Sequence, residues 1–320
     1  MNALEKFQSI IILVAIIFGL VFGQLSIINN SAGYFIIPFL FLMLFGIFGS
    51  ISLKDFKRSF SNFKFAKVTL LMNFIWTPLF AYILGAIFLN QHIDIWIGFI
   101  MLMVTPCTDW YLIFTDIAKG NLPLSTSILP LNLILQIILL PIYLLLFFGV
   151  FGSFDYGILL ESILLMVFLP FILAQIARYL FTTMKSLNSF KDNFFSFFES
   201  SQIIFLSLAI FCMFASNGYL LVNNLWVILL LLIPMFLFFI LNFFIGRLLT
   251  NKLNFCYADS VSLSMTTLAR NSPIALAIAV IAFPNQPLVA LALVIGPLIE
   301  LPVLAIISQI LLFIKRKNFL

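Results

Sequence analysis

Two apolar stretches of the sequence each place a proline beside small polar and charged residues. One reads Met103-Val-Thr-Pro-Cys-Thr-Asp-Trp110, and the other reads Met265-Thr-Thr-Leu-Ala-Arg-Asn-Ser-Pro273. A proline removes a backbone donor from a helix and disrupts the bond to the carbonyl four residues back. Each stretch therefore predicts a broken helix, whose amides could bind anionic groups and whose carbonyls could bind cations.

Cys107 is the residue in these stretches that is best suited to a soft ligand. As a thiolate, it could bond to a thiophilic centre such as trivalent arsenic. A lone cysteine is also often a small buried hydrophobic residue with no further role. Its position between Pro106 and the polar pair Thr108 and Asp109 favours the ligand. Cys212 and Cys256 lack polar neighbours, so we expect them only to pack.

Three charged residues lie within otherwise apolar runs, where a charge needs a partner or a function. Asp109 and Arg270 have opposite charges in the two proline-containing stretches, and we expect an ion pair. That pair could merely pin the crossing helices together. The alternative is a direct role, in which Arg270 receives an anion or shifts the proton affinity of its neighbour when substrate arrives. Glu300, between two prolines, is a natural proton carrier or cation ligand, and the alternative is a hydrogen bond between packed helices.

The supporting polar residues are of the kinds that supply oxygen ligands or hydrogen bonds. Their oxygens could bind a sodium ion, although Ser and Thr also bond back to helix carbonyls with no further role. The set is Thr105, Thr108, Asn132, Gln136, Thr267, Asn271 and Ser272.

The composition decides which elements must position these residues. The chain has 320 residues, of which 64% are apolar and 8% charged, whereas a soluble domain is roughly half apolar and about a quarter charged. A water-soluble fold is therefore excluded, and the solvent must be lipid. The 3 Cys and 1 His are too few for a disulfide framework, a multi-His metal centre or paired haem ligands. We expect no metal or other cofactor.

The apolar runs predict an all-α membrane protein. A crossing helix needs about 20 predominantly apolar residues, and barrel strands would alternate over shorter runs. The predicted spans are 8–27, 34–53, 67–89, 95–118, 123–151, 157–182, 201–219, 222–248, 257–283 and 287–314.

The basic residues predict the orientation, because cytoplasmic connections retain Lys and Arg. Of the 16 Lys and Arg residues, all except Arg270 lie before the first span, or within or at the edges of the segments that follow even-numbered spans. We therefore expect a multi-pass protein of the plasma membrane with both termini in the cytoplasm. The net charge of +5 reflects this orientation, and no soluble basic face exists to bind nucleic acid.

A weak internal repeat divides the chain into halves. Asn121-Leu-Pro-Leu124 recurs as Asn285-Gln-Pro-Leu288, and the same offset places Cys107 on Asn271 and Gln136 on Glu300. Five spans per half is an odd number, so the second half, 152–320, must be inverted relative to the first, 1–151. Inverted repeats are typical of secondary transporters, whose substrate site lies near the midplane between the repeats. The alternative is that the Asn-x-Pro-Leu motif recurs by chance, because the composition is so strongly biased towards apolar residues.

Three sets of residues together resemble a known family. They are Thr105-Pro-Cys-Thr-Asp-Trp110 with Lys119-Gly-Asn121, Ala269-Arg-Asn-Ser-Pro273, and Gly296-Pro-Leu-Ile-Glu-Leu-Pro-Val303. They are similar to the arsenite permeases of the bile acid/sodium symporter superfamily. Over essentially the whole chain, the resemblance implies ten transmembrane helices in two inverted five-helix repeats, with discontinuous crossing helices four and nine. It also implies that Cys107 and Glu300 are the functional pair.

We therefore expect a secondary active transporter that exports arsenite or antimonite in exchange for protons. Its small-molecule substrate would contact Cys107, Thr108, Asp109, Arg270, Asn271 and Ser272. Coupling to the ion, proton or sodium, would involve Glu300, Gln136, Asn132 and Thr267.

The sequence departs from the family pattern at two charges. The family has a neutral stretch in the ninth span where this chain has Arg270, and Asp109 is likewise an added charge. Neutral arsenous acid does not require an arginine, whereas an organic or inorganic anion would suit one equally well. The alternative function is therefore a sodium-coupled organic-anion symporter on the same fold, with Glu300, Asn271, Gln136 and Thr108 as sodium ligands.

Two other classes of protein fit the sequence less well. An intramembrane enzyme needs a positioned nucleophile and base or a set of metal ligands, and His92 falls in a predicted outer loop. A sensor or receptor would ordinarily carry a cytoplasmic output domain, and the longest predicted inner connection is too short for one. We expect a carrier surrounded by membrane lipid and no enzymatic activity.

Overall fold

A computed structural model of the chain describes residues 8–50, 62–108, 110–149, 156–183, 188–224 and 226–317. Asp109 lies outside the described residues. In the described part, the regular elements are helices, joined at one place by an isolated β-bridge. This agrees with the predicted all-α class, because a helix satisfies its backbone polar groups internally in lipid.

The helices are numbered in chain order, and two of them continue through a π-helical turn. They are α1 (Gln8–Phe22), α2 (Ser26–Ser50), α3 (Phe63–Leu71), the π-turn Met72–Trp76, α4 (Thr77–Phe88), α5 (Ile93–Met103), α6 (Trp110–Ile117), α7 (Leu122–Phe148), α8 (Tyr156–Ile163), the π-turn Leu164–Phe168, α9 (Leu169–Thr183), α10 (Asn188–Asn223), α11 (Trp226–Lys252), α12 (Tyr257–Leu268), α13 (Ser272–Ala282) and α14 (Pro287–Lys317).

Seven helical stretches in the described part are long and apolar enough to cross a membrane. They are Ser26–Gly49, Phe63–Phe88, Leu122–Phe148, Gly157–Phe181, Phe194–Gly218, Leu229–Lys252 and Pro287–Arg316. Three shorter apolar helices, Ile10–Phe22, Ile93–Met103 and Ser272–Ala282, overlap the predicted first, fourth and ninth spans. The chain is thus a multi-pass membrane protein, and ten crossings in inverted repeats stay a prediction.

Two helices extend more than five residues beyond the predicted spans at their N-terminal ends. Helix α2 begins at Ser26 and α10 at Asn188, whereas the predicted spans begin at residues 34 and 201. The polar residues before residue 34 stay helical, since the Asn29 side chain donates a 2.9 Å hydrogen bond to the carbonyl of Ala215. Polar side chains that find a partner on a neighbouring helix need not end the helix that carries them.

The chain packs as two compact units, and each combines segments from both predicted halves. The first contains Met1–Ser52, Phe154–Leu225 and Pro273–Val294, and the second contains Leu53–Ser153, Trp226–Ser272 and Ile295–Leu320. The predicted halves are defined by internal sequence similarity, whereas the compact units are defined by packing. The units therefore do not test the predicted division at residue 151, which stays a prediction. Every predicted site residue falls within the ranges of the second unit.

Within the first unit, α2 packs against α9 and α10. Gln175 and Arg178 donate to the carbonyls at the C-terminal end of α2, Phe48 at 3.1 Å and Gly49 at 3.2 Å. Ring contacts continue the interface, with Phe45 and Phe198 centroids 5.1 Å apart. These side chains satisfy end carbonyls that a helix leaves without internal donors.

Within the second unit, α5 and α12 are buried along almost their whole lengths. Every residue from Ile95 to Met103 is buried, and so is every residue from Ser260 to Leu268. Helix α14 approaches α5 closely at Gly296, where a Cβ atom would lie 2.6 Å from Cδ2 of Leu102. Glycine at this position lets α14 bring Glu300, one turn further on, to the C-terminal ends of α5 and α12.

Candidate functional site

The two proline-containing stretches break their helices and bond to each other. Helix α5 ends at Met103 and α6 begins at Trp110, while α12 ends at Leu268 and α13 begins at Ser272. The N–H of Cys107 donates to the carbonyl of Ala269 at 2.9 Å, and the N–H of Asn271 donates to the carbonyl of Thr105 at 2.7 Å. The predicted breaks are present, and the broken segments satisfy each other's backbone.

Pro106 and Arg270 face each other in this antiparallel bridge. The bonds flank the pair, so Pro106 and Arg270 form a non-hydrogen-bonded pair in which neither N–H is needed. Proline, which has no N–H, is therefore tolerated at this position. The N–H of Arg270 points away from the bridge and donates to Oε1 of Glu300 at 2.8 Å.

The bridge brings together several of the predicted substrate-site residues. Cys107, Thr108, Asn271 and Ser272 are all at least 97% buried. Nδ2 of Asn271 donates to Oγ1 of Thr108 at 3.2 Å, which adds a link between side chains of the two broken segments. The predicted ion pair between Asp109 and Arg270 involves a residue outside the described part of the chain.

The side chain of Arg270 lies inside the protein with 2% of its surface exposed. Nη1 donates to the carbonyl of Met103 at 2.8 Å and Nε donates to the carbonyl of Leu268 at 3.1 Å. Nη2 donates to the carbonyl of Thr267 and, at 3.4 Å, to Oδ1 of Asn73. The guanidinium thus bonds to uncharged oxygens, and it lies 5.2 Å from the ring centroid of Phe238.

Glu300 has 2% of its surface exposed and lies on α14. It stands alone among charged residues in its part of the sequence, but the fold gives its carboxylate a main-chain partner, the N–H of Arg270. Two prolines, Pro297 and Pro302, flank it inside the same helix. The contact joins the predicted coupling residue to the bridge between the broken helices.

The remaining predicted coupling residues differ in their hydrogen bonding. Thr267 bonds back to the carbonyl of Leu263 at 2.8 Å, so its hydroxyl serves its own helix. Asn132 and Gln136 lie one turn apart on α7 and are buried, and neither amide has a hydrogen-bond partner within the described part of the chain. Leaving a buried polar group unpaired costs about 1–3 kcal/mol, so these amides are suited to a ligand.

Sequence reasoning missed Asn73, which is fully buried in the π-turn Met72–Trp76. Its amide accepts from Arg270 and donates to the carbonyl of Thr266 at 3.4 Å. The sequence signal for an irregular turn near Asn73 is Pro78. Its missing N–H leaves the carbonyl of Phe74 without a helical donor. Tyr143 fills that position with a hydrogen bond of 2.6 Å. Single π-turns of this kind occur frequently at functional sites.

Asn121 anchors the connection that follows the first broken helix. Its side chain caps α7 by accepting from the N–H of Leu124 at 3.2 Å, and it donates to Oδ1 of Asp259 at 2.8 Å. Its N–H donates to Oγ of Ser262 at 2.9 Å. The segment after α6 is therefore tied to the first turns of α12, which carries the second break.

Several known proteins are similar to this chain over nearly its whole length. The Arsenical-resistance protein Acr3 of Corynebacterium glutamicum is 23% identical to this chain, in an alignment that covers 99% of this chain and 90% of that protein. A second Acr3, from Alkaliphilus metalliredigens, is 22% identical over 96% of this chain and 91% of its own. The "Uncharacterized transporter slr0944" of Synechocystis sp. is 26% identical over 97% of this chain and 88% of its own.

The family model named Sodium Bile acid symporter family matches residues 37–224, more than half of the chain. These residues include the whole of the first broken segment and, on α7, Asn132 and Gln136. The helical membrane architecture and the near full-length relatives agree with this match. The chain is thus a transmembrane transporter that belongs to the sodium bile acid symporter family.

Proposed function

We propose that this chain is a secondary active transporter that exports arsenite or antimonite in exchange for protons by alternating access. Two relatives that align with nearly the whole chain are named arsenical-resistance proteins, which supports this substrate. The observation that carries the proposal is the backbone bridge, which holds the buried Cys107 between the ends of two broken helices. Broken helices of this kind form the binding sites of many secondary transporters.

In this proposal Cys107 contacts the arsenic atom transiently. The sulfur bonds to arsenic, and one arsenic hydroxyl leaves as water with the proton of the thiol. Hydrolysis reverses the step and returns the free thiol. Asp109, Asn271 and Ser272 supply hydrogen bonds to the remaining hydroxyls, and Thr108 keeps the Asn271 amide oriented.

Glu300 is the proposed proton carrier, and its contact with Arg270 gives a route for coupling. An ionised carboxylate accepts a hydrogen bond about twice as strongly as a neutral group does. Protonation of Glu300 therefore weakens its bond to the N–H of Arg270, which lies in the bridge beside Cys107. Loosening the bridge when Glu300 is protonated links proton binding to substrate release.

Asn132, Gln136 and Thr267 complete the proposed coupling set, with different roles. The amides of Asn132 and Gln136, which have no partner among the described residues, offer oxygens and N–H groups to water or to an ion. The hydroxyl of Thr267 stays with its helix, while its carbonyl holds the Arg270 side chain. Arg270 itself directs most of its N–H groups to protein oxygens, which favours a positioning role over direct anion binding.

The proposed membrane arrangement has ten crossings in two inverted five-helix halves, with both termini in the cytoplasm of the cell. The seven long apolar helices and the three shorter ones support ten crossings. The distribution of the 16 basic residues supports the orientation. The near full-length relatives support a polytopic transporter.

Transport by purified protein in liposomes tests the proposal. With an acidic interior and no sodium, arsenite should accumulate inside and protons should leave. Liposomes without a pH gradient and liposomes without protein are the controls. Uptake of a bile acid driven by a sodium gradient, together with indifference to arsenite, would instead assign the chain to sodium-coupled organic-anion transport.

A further inference from the structure

Four uncharged oxygens surround the guanidinium of Arg270, and we name them the carbonyl cradle. The cradle consists of the main-chain oxygens of Met103, Thr267 and Leu268 and the side-chain oxygen of Asn73. Four of the five N–H groups of an arginine side chain are therefore directed at these oxygens. The whole side chain is buried.

The main-chain oxygens of the cradle belong to the ends of two broken helices. Met103 is the last residue of α5, and Thr267 and Leu268 are the last two residues of α12. Carbonyls at a helix C-terminus have no donor within their own helix. The aligned peptide dipoles also give this end a partial negative charge of roughly half an electron. Two such ends that point at one position create a strong preference for a cation.

Half-helix C-terminal ends and unwound carbonyls are also the ligands that bind sodium in secondary transporters. In this chain the position carries a cation that is covalently attached to the protein. Arginine suits the position because its rigid, planar fork can donate to several oxygens at once. The π-turn at Met72–Trp76 adds the fourth oxygen, since Asn73 lies within it.

We propose that Arg270 is a resident cation that fills a monovalent cation site, so that this site neither needs nor admits sodium. Removing the guanidinium while keeping the cradle would open a sodium site at the same place. This inference does not depend on which solute the transporter carries, because it concerns only the oxygens around the guanidinium. The positive charge of the guanidinium thus has a structural role, because it takes the place of the charge of a bound ion.

Thermal unfolding of the purified protein in detergent tests the inference without any substrate. The variant Arg270→Gln keeps the cradle and adds one amide oxygen. Its midpoint of unfolding should rise by roughly 2–4 °C, saturably, when sodium chloride replaces choline chloride at the same ionic strength. The wild-type protein and Arg270→Lys, which retains a tethered charge, should show no sodium-specific rise.

Two further variants show whether the sodium response belongs to the cradle. Arg247→Gln removes the arginine of α11, outside the cradle in the same unit, and should show no response. Adding Asn73→Ala to Arg270→Gln removes one cradle oxygen and should weaken the apparent sodium affinity at least tenfold.

Two outcomes would overturn the inference. The first is a monodisperse, folded Arg270→Gln protein whose unfolding midpoint is the same in sodium and in choline. The second needs no arginine variant: a sodium-specific rise in the wild-type protein that Asn73→Ala abolishes would mean that sodium and Arg270 occupy the cradle together. Because neither measurement contains arsenite, both results are independent of whether arsenite export is found.

Discussion

The main-chain N–H of Arg270 donates a 2.8 Å hydrogen bond to the carboxylate of Glu300. Arg270 also faces Pro106 in the bridge between the broken helices. One residue thus connects the proposed proton carrier to the backbone that holds Cys107. A carboxylate at this position has two separable properties, which are its ability to accept the hydrogen bond and its ability to carry a proton.

Replacing Glu300 by glutamine separates these two properties. Glutamine still offers an oxygen to the N–H of Arg270, so Glu300→Gln should fold and should retain arsenite exchange at equal pH. Accumulation of arsenite driven by a pH gradient should be lost, because glutamine carries no proton. The measurement is arsenite uptake into liposomes with and without an acidic interior.

Two controls accompany the glutamine variant. Glu161→Gln alters an exposed glutamate on α8 and should keep gradient-driven uptake. Glu300→Ala removes the acceptor and should destabilise the protein by about 1–3 kcal/mol. Gradient-driven uptake at the wild-type rate in Glu300→Gln would show that the carboxylate only accepts a structural hydrogen bond.

Replacing Cys107 by serine keeps its main-chain bond to Ala269 and removes only the sulfur. Serine oxygen does not share the preference of sulfur for arsenic, so arsenite efflux should fall at least tenfold. The measurement is arsenite efflux and growth of arsenite-sensitive cells at matched protein level. Undiminished protection would mean that the thiol only packs.

The chain provides a matched control for this variant at Cys256. Contrary to the expectation that it packs, that residue is exposed, and it occupies the N-cap position of α12. Serine is a favourable N-cap residue, so Cys256→Ser should keep both stability and efflux. An equal loss of efflux in the two serine variants would contradict the assignment of Cys107.

Adding a methyl group at Gly296 should disturb the approach of α14 to α5. The new Cβ would lie 2.6 Å from Cδ2 of Leu102, and overpacking of this kind costs about 1–3 kcal/mol. Gly296→Ala should therefore lower the unfolding midpoint. Combined with Leu102→Ala, it should cost less than the sum of the two single changes, because the truncated side chain leaves room.

Gly246→Ala is the control for this pair. Its new Cβ would meet only Oγ of Ser264 at 4.0 Å. Because alanine favours a helix over glycine, this variant should not be destabilised. Simple additivity of Gly296→Ala and Leu102→Ala would show that the two residues do not interact.

Changes at Asn121 should affect the anchor between α7 and α12. Asn121→Ala removes both the helix cap and the bond to Asp259 and should cost about 1–2 kcal/mol. Asn121→Ser restores a cap but cannot reproduce the bond to Asp259, so its unfolding midpoint should lie between those of the alanine variant and the wild type. If serine is no better than alanine, the cap does not contribute to stability.

The amino-acid sequence by itself determined the membrane class, the helical architecture and the places where helices break. Lipid cannot satisfy backbone polar groups, so long apolar runs must be helical whatever they pack against. Pro106 and Pro273 act on their own helices, so their effect is local and can be recognised in the sequence. The expectation that the freed amides and carbonyls can bind other groups also followed from local chemistry.

Only the tertiary structure decided which partners these groups have. The bond from Arg270 to Glu300 joins residues 30 positions apart, and the bonds to Met103 and Asn73 span 167 and 197 positions. Such contacts depend on how helices pack, and no local pattern specifies the packing. For this reason the charge of Arg270 could be predicted to need a partner, while its position among uncharged helix-end oxygens could not.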